Sequence, residues 1–248
     1  MGATFSLTGI VLKKTKLGET DVILTILSDD GGLVQGVLKG ARNPKSKTVG
    51  KAELFSEQKI LFAQGKSLNI ITESTIEKAR KKLTTSYDSL LAASVVAELA
   101  LKTSAPENPH ERFFALTHAA FDALEAHPAE TSYALVTAYF VKALALQGYR
   151  PTLEVCASCF EELPLTAWSH GAGGAVCEVC ADHLDAFEVN PELFSWIHFL
   201  MMATFNEIAQ TAIDKSVLDD CTHILKSFFE YTYGTTLKSL PIFWQIAP

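Results

Sequence analysis

Short apolar segments with turn residues between them fill the first eighty residues. The segments lie near residues 5–13, 20–28, 32–39, 53–63 and 68–77, and they are rich in Val, Ile, Leu, Thr and Phe. Glycine-containing turns such as Asp29-Asp30-Gly31-Gly32 separate them, which is typical of strands. Five short strands with one long connection, near residues 40–52, predict a small β-barrel of the OB type. An SH3-like barrel is the alternative that strand count alone leaves open.

From Thr84 onward the apolar spacing becomes helical. The first helix follows Ser86, a candidate N-terminal cap, and the second follows Asn108-Pro109. A third helix is expected from about Glu130 to Gln147, with Gly148 as its C-terminal stop. Two more are predicted, one from Asn190-Pro191 to about Thr211 and a last one over roughly 215–233, ended by Gly234. Their Leu and aromatic stripes are typical of the core of an α-helical bundle.

Four cysteines interrupt the helical region with a spacing that metal sites use. Cys156 and Cys159 form one C-x2-C pair, Cys177 and Cys180 form another, and seventeen residues separate the pairs. This spacing predicts a tetrahedral zinc ion held by four thiolates, one per chain. Structural disulfides or merely packed thiols are the alternatives. Because four thiolates leave no coordination position for a substrate water, the zinc is expected to be structural.

These patterns predict an α+β multidomain chain: an N-terminal five-stranded OB-fold β-barrel, followed by an α-helical bundle with an inserted four-cysteine zinc-finger module. The expected boundaries are residues 1–82 for the barrel, 83–150 for the first part of the bundle, 151–185 for the zinc module and 186–248 for the second part of the bundle.

Charge is distributed unevenly over a chain whose formal net charge is −7. Residues 1–82 carry fourteen Lys and Arg against eight Asp and Glu, whereas the remainder carries seven against twenty. The sequence thus joins a basic N-terminal module to an acidic C-terminal part. The acidic overall balance therefore does not argue against a nucleic-acid partner.

Two groups of cations in the barrel are candidate DNA-binding residues. Lys13, Lys14 and Lys16 end the first strand. The long connection then supplies five more cations, Lys39, Arg42, Lys45, Lys47 and Lys51. Cations spaced along one connection can contact successive phosphates, although a solvated loop without function is the alternative. Only three aromatic residues precede Tyr87, so stacking on bases is poorly provided and little sequence specificity is expected.

Sequence motifs for catalysis and for export are missing. The chain contains no H-x-E with P-C-x-x-C, no phosphate-binding G-x-x-x-x-G-K-[ST] and no G-x-G-x-x-G, so we expect no enzymatic activity. No secretory signal or membrane-length apolar run is visible. Together with Cys221 as a lone fifth cysteine, this favours the reducing cytoplasm and no membrane partner.

Several segments, in order, resemble a known family. They are Thr8-Gly9-Ile10-Val11-Leu12, Gly18-Glu19-Thr20-Asp21, Lys39-Gly40-Ala41-Arg42, Gly148-Tyr149-Arg150-Pro151 with Leu153 and Cys156-Ala157-Ser158-Cys159, and Leu237-Lys238-Ser239-Leu240. On these residues the chain resembles the bacterial recombination mediator family RecO over essentially its whole length. Its Pro241-Ile242-Phe243-Trp244 continuation is less typical of that family.

The resemblance implies a non-enzymatic role in DNA repair. Members bind single- and double-stranded DNA, anneal complementary strands and help to load the recombinase on strands coated by single-strand-binding protein (SSB). The implied partners are RecR, in some cases RecF, and the acidic C-terminal tail of SSB, at a cytoplasmic, nucleoid-associated location. By position, Lys39 and Arg42 correspond to the family's basic DNA-binding region, with Lys45 and Lys47 as extensions. Some members lack the cysteines, so the resemblance makes the metal dispensable for the activity itself.

Two other function classes remain open at this point. One is a zinc-stabilised protein-interaction adaptor whose basic loop binds acidic proteins instead of DNA. The other, a zinc-dependent nucleic-acid enzyme, is less favoured because four thiolates saturate the metal.

Overall fold

The structure is a computed structural model that describes residues 3–43, 45–46, 48–104 and 109–246. The chain divides into two compact units, Met1–Ala126 and His127–Pro248. The expected cap residue Asn108 and the candidate DNA-binding residue Lys47 lie outside the described residues.

The first unit begins with a closed five-stranded barrel. Its strands are β1 (Thr4–Leu17), β2 (Asp21–Ser28), β3 (Leu33–Leu38), β4 (Glu57–Ala63) and β5 (Asn69–Lys78). They are arranged in the order β1-β2-β3-β5-β4, and β1 closes the barrel on β4. All neighbours are antiparallel except β3 and β5, which run parallel. This order is that of the OB fold, so the prediction of an OB barrel is confirmed.

Alternating apolar side chains fill the barrel. Val22, Leu24 and Ile26 from β2 are buried together with Ile60 and Phe62 from β4. Phe62 also supports Phe5, whose ring stacks on it at a centroid distance of 5.0 Å. Phe62 therefore belongs to the barrel core.

After the barrel, the described residues of the first unit form three helices, α1 (Lys82–Thr85), α2 (Tyr87–Thr103) and α3 (Glu111–Ala126). Ser86 occupies the N-cap position of α2 as expected, but its side chain makes no capping hydrogen bond. Phe121 of α3 packs against Phe55, which lies just before β4, with ring centroids 5.2 Å apart. The barrel and α3 thus share an apolar contact.

A fully buried arginine crosses the same contact. Arg80, directly after β5, donates through Nη1 to the Phe55 carbonyl at 2.8 Å and through Nε to Asp122 Oδ1 at 2.8 Å. Its Nη2 lies 2.7 Å from the same carboxylate, which also accepts from Lys78 at 2.7 Å. Asp122 belongs to α3, so one carboxylate joins that helix to the end of the barrel.

The second unit starts with α4 (Ser132–Leu144), in which twelve of thirteen residues are buried. A small antiparallel sheet follows, in the order β7-β6-β8. Its elements are β6 (Leu165–Ser169), β7 (Gly174–Cys177), the short helix α5 (Glu178–Ala181) and β8 (Ala186–Glu188). The part of the chain described after this sheet forms four helices, α6 (Glu192–Met202), α7 (Phe205–Gln210), α8 (Lys215–Tyr233) and α9 (Ser239–Ile246).

Two helix predictions in the second unit are wrong. The single helix expected to run to about Thr211 is broken between α6 and α7, where Thr204 and Glu207 form a capping box. Lys142 also donates to the carbonyls of Met201 and Ala203, at 2.8 and 2.6 Å, and so satisfies the end of α6. The helix over 215–233 is not the last, because α9 follows it.

The predicted glycine stops are confirmed. Gly148 has φ 92° at the end of the turn that follows α4, and Gly234 ends α8 at φ 61°. Both are in the left-handed region that glycine enters at little cost.

The last helix is anchored by one carboxylate of α8. Asp219 Oδ1 accepts from the Tyr133 hydroxyl and from Trp244 Nε1, each at 2.6 Å. Tyr133 belongs to α4 and Trp244 to α9, so Asp219 joins three helices. Among the described residues, no helix combines the length and apolarity needed to cross a membrane.

Candidate nucleic-acid interface and metal centre

The hairpin of β1 and β2 carries the first group of candidate cations. Pairing of β1 with β4 ends at Ile10, but β1 continues to Leu17 against β2, so the hairpin extends past β4. Lys13, Lys14 and Lys16 are exposed on this extension. Since side chains alternate along a strand, Lys14 and Lys16 share one face and Lys13 lies on the other.

Hydrogen bonds fasten the second group to the end of this hairpin. The Gly40 N–H donates to Asp21 Oδ1 at 2.8 Å. Arg42 donates through its backbone N–H to the Thr20 carbonyl at 2.8 Å and through Nη1 to the Gly18 carbonyl at 3.0 Å. The structure therefore brings together Lys14, Lys16, Lys39 and Arg42, which we call the cationic tip.

Asp21 is kept ionised in this cationic setting. The hydrogen bond from Gly40 is the main cause that lowers the pKa of the Asp21 carboxyl, with help from Thr20 and from the charge of Lys39. An ionised Asp21 in turn holds the start of the long connection next to the hairpin. The tip is thus fixed in place by a charge of the opposite sign.

The rest of the connection is folded back in successive turns. Ser46 N–H donates to the Asn43 carbonyl at 2.8 Å, and the Thr48 hydroxyl donates to the Lys39 carbonyl at 3.1 Å. Lys45, on the first of these turns, is exposed. Lys51 ends a 3-10 turn, is half-buried, and accepts through its carbonyl from Gln58 of β4. The start of the connection, with Arg42, is therefore held at the hairpin, whereas its end, with Lys51, is held at β4.

Lys13 faces a different part of the barrel. It pairs with Thr25 of β2, which pairs with Gln35 of β3, so the three residues form one row on the outer face. A groove of about 390 Å³ continues this row, lined by Thr25, Leu33, Gln35, Ser67, Leu68 and Asn69. In OB folds this face and the loops beside it bind oligonucleotides. Strands β2 and β3 contain no Lys or Arg, so the floor of the groove is uncharged and the cations lie at its margins.

Lys66 is one cation at that margin which sequence reasoning missed. It is exposed in the β4–β5 connection, directly before the groove residues Ser67 and Leu68. In the sequence it looks like turn material between two strands. The signal that could have found it is the OB topology itself, since the β4–β5 loop is a recurrent oligonucleotide contact of this fold.

The second unit brings all four predicted metal ligands together. The Sγ atoms of Cys156, Cys159, Cys177 and Cys180 all lie within 4.8 Å of one another. The first pair lies in the turn before β6, Cys177 ends β7, and Cys180 is in α5. Sheet pairing places the two turns together, because Leu165 of β6 is the partner of Cys177. Four thiols in one cluster fit a tetrahedral metal ion with a closed shell.

Backbone amides prepare the cluster for a cation. Burial raises the pKa of Cys156, but N–H donors from Cys159, Cys177 and Ser158 outweigh it and bring the pKa to about 6. At Cys180 the Ser158 hydroxyl lowers the pKa, but burial and the neighbouring cysteines raise it to about 12. The cluster therefore readily forms a thiolate at Cys156 but resists deprotonation of Cys180. A divalent metal removes that resistance by compensating the negative charge.

Acidic side chains surround this cluster. Residues 152–185 contain no Lys or Arg, while Glu154, Glu161 and Glu178 are exposed. Contact between this module and phosphates is therefore unfavourable. The geometry fits a structural metal that holds two turns and a small sheet together.

Comparison with known families covers nearly the whole chain. The family model "Recombination protein O N terminal" matches residues 1–80. The model "Recombination protein O C terminal" matches residues 84–241. The chain belongs to the Recombination protein O family. Its role therefore lies in DNA repair and recombination, and the resemblance seen in the sequence is confirmed.

Curated relatives from distant bacteria agree with the family models. A "DNA repair protein RecO" of Bifidobacterium adolescentis is 32% identical over 238 residues, which are 94% of this chain and 96% of the relative. Another of Dehalococcoides mccartyi is 28% identical over 239 residues, 95% of this chain and 93% of the relative. A third, of Caldanaerobacter subterraneus, is 26% identical over 93% of each chain.

Proposed function

We propose that this chain is a non-catalytic recombination mediator that binds single- and double-stranded DNA through the cationic tip and the margins of the barrel groove. It anneals complementary strands and assists loading of the recombinase on SSB-coated DNA. Its protein partners are RecR, the C-terminal tail of SSB and in some cases RecF. Such a function operates in the bacterial cytoplasm, at the nucleoid.

The observation that carries this proposal is the fastening of two cation groups at one end of an OB barrel. Strands of DNA repel each other through their phosphates, and a cluster of cations lowers that repulsion while bases search for register. Because the hydrogen bonds from Gly40 and Arg42 position the tip before DNA arrives, less ordering is required on binding. The uncharged groove then accommodates bases without selecting a sequence.

The cofactor in this proposal is one structural Zn²⁺ per chain, held by Cys156, Cys159, Cys177 and Cys180. When bound it supplies folding energy to the second unit and no reaction chemistry. The acidic surroundings of the cluster leave DNA contact to the first unit.

Annealing of complementary strands coated with the cognate SSB tests the proposal. Two pair variants, Lys39→Glu with Lys45→Glu and Lys14→Glu with Lys16→Glu, each exchange two exposed cations for anions. Both are expected to anneal at least about tenfold more slowly than the natural protein, monitored by fluorescence. Arg42 is left unchanged because it also holds the hairpin.

Lys59→Glu with Lys81→Glu is the matched control, since it alters net charge equally at exposed positions on β4 and before α1. It should anneal at the natural rate. An equal loss of annealing rate in all three variants would show that net charge alone causes the loss, and would refute a DNA site at the tip. Full activity in both pair variants would move the DNA site elsewhere. No annealing by the natural protein would favour the adaptor function.

A further inference from the structure

Three large apolar side chains are exposed around the metal cluster. Phe160 is 73% exposed, Val179 68% and Leu163 44%. Phe160 directly follows Cys159 and Val179 directly precedes Cys180, whose Sγ atoms belong to the same cluster. The ligands therefore bring Phe160 and Val179 to one end of the module, and we call these two residues, with Leu163 three positions after Phe160, the knuckle surface.

The backbone of Phe160 adopts a conformation that disfavours a large side chain. Its φ is 63°, a left-handed conformation that glycine would adopt at the least cost. Hydrogen bonds from Phe160 N–H to the Cys156 carbonyl, at 2.9 Å, and from Cys156 N–H to the Glu161 carbonyl, at 3.1 Å, hold it there. A large ring on a rigid turn, exposed to solvent and absent from the core, is suited to anchor a partner.

Charge determines what that partner can be. Exposed Glu161 and Glu162 follow Phe160, and exposed Glu178 precedes Val179. Residues 152–188 contain no Lys or Arg, and the complex of a divalent ion with four thiolates still has a net negative charge. The knuckle surface is thus apolar at its centre and negative around it, so it fits a cationic surface that offers an apolar side chain.

The chain itself carries such a surface on its first unit. Leu17 is 37% exposed at the end of β1, directly after Lys16, and Lys14, Lys39 and Arg42 belong to the same cationic tip. We propose that the knuckle surface of one copy binds the cationic tip of a second copy. Because the two surfaces differ, the contact is head-to-tail and can continue from copy to copy.

The same cations are assigned to DNA under the proposed function, so DNA and a second copy would compete for the tip. Single-stranded DNA would then release copies from these head-to-tail assemblies. This last step rests on the proposed function, whereas the contact between copies does not.

Sedimentation velocity of the metal-loaded, nucleic-acid-free full chain tests the contact. We expect the average sedimentation coefficient to rise with protein concentration in low salt and to become independent of it in high salt. Glu161→Lys with Glu178→Lys should abolish this association, and so should Lys14→Glu with Lys16→Glu. A mixture of these two variants should associate again, because each retains the surface that the other has lost.

Phe160→Gly separates binding from folding. It relieves the left-handed backbone, so metal content and melting temperature should be retained, while self-association weakens about tenfold or more. Concentration-independent sedimentation of the natural protein in low salt would overturn the proposal. It would also be overturned if both charge variants associated as strongly as the natural protein, or if the mixture of the two variants failed to associate. Intramolecular docking would appear as compaction without concentration dependence, and it too would overturn the proposal.

Addition of a single-stranded oligonucleotide is expected to dissociate the natural assemblies. If the mixture of charge variants associates but the oligonucleotide leaves the natural assemblies intact, the contact between copies stands and the assignment of DNA to the tip fails. If DNA binds the tip but no self-association occurs, the proposed function stands and this inference fails.

Discussion

Single residues with more than one partner hold the decisive contacts of this chain. Arg42 is both a candidate phosphate contact and the donor that fixes the Gly18 turn. Arg80 is a cation of the same basic module, but it is fully buried between the Phe55 carbonyl and Asp122. Charge along the sequence cannot separate these roles, since both residues look alike until their burial is known.

Arg80→Met is expected to destabilise the first unit by on the order of 3 kcal/mol, because it leaves the Phe55 carbonyl and the Asp122 carboxylate without their buried donor. Urea unfolding, with hydrogen exchange of β4 and β5 as a local readout, measures the loss. Lys81→Met, an exposed neighbour, serves as control and should change little. An unchanged unfolding midpoint for Arg80→Met would disprove the assigned role.

Asp122 makes the stability of the same junction depend on pH. Burial raises the pKa of its carboxyl, but hydrogen bonds from Lys78 and Arg80, with the charges of Arg80 and His118, bring the net value below the ordinary one. Its contribution is therefore complete above the unfolded-state pKa and is lost as pH falls through the lower, folded-state pKa.

Asp122→Asn should accordingly be less stable at neutral pH and lose less stability on acidification. Free energies of unfolding from urea titrations between about pH 7 and pH 3 provide the comparison. Parallel curves for the natural protein and the variant would show that Asp122 does not contribute to the acid sensitivity.

At the scale of elements, the sequence was most informative where local chemistry decides the structure. The β-branched runs and glycine turns predicted all five barrel strands, and Gly148 and Gly234 predicted two helix ends. The break before α7 was readable as Thr204-Phe205-Asn206-Glu207, a capping-box pattern, but the apolar spacing continues across it. The strands of the metal module are only three to five residues long, too short for alternation to be visible.

Of the two candidate sites, the metal cluster could be predicted from the sequence and the cationic tip could not. Cysteine spacing predicts the metal cluster because each C-x2-C pair is local. The joining of the tip was not predictable, because the hydrogen bonds from Gly40 and Arg42 connect residues about twenty positions apart. Only the barrel topology brings those residues together.

Cys177→Ser is expected to lower both the bound zinc and the melting temperature of the second unit, since structural zinc contributes on the order of 10 kcal/mol to the folding of such modules. Elemental analysis and calorimetry measure the two effects. Cys221→Ala is the control, because Cys221 is buried in α8 outside the cluster and should leave the zinc content at one per chain. A Cys177→Ser protein with natural zinc content and melting temperature would exclude this metal site.

At the scale of the whole molecule, a basic N-terminal module, residues 1–82, and an acidic remainder share one chain. Under the proposed function, nonspecific attraction to DNA is expected of the cationic part, while the acidic part remains available for protein contacts. Affinity for DNA should then depend on the few cations of the tip, and not on the net charge of the chain.

Salt dependence tests this point. If four cations contact a single strand, the logarithm of the binding constant should fall against the logarithm of salt concentration with a slope of about −3. Lys14→Glu with Lys16→Glu, which removes two of the four tip cations, should reduce that slope by about 1.4, whereas Lys59→Glu with Lys81→Glu should leave it unchanged. A flat response of the natural protein would contradict binding through phosphates.

The anchoring of Trp244 by Asp219 has a practical consequence for spectroscopy. All three tryptophans of the chain, Trp168, Trp196 and Trp244, belong to the second unit. They lie in β6, α6 and α9, and the indole of Trp244 is hydrogen-bonded to a carboxylate. Ultraviolet emission excited at the indole band therefore originates in the second unit, so a change in that emission reports on the surroundings of these three indoles.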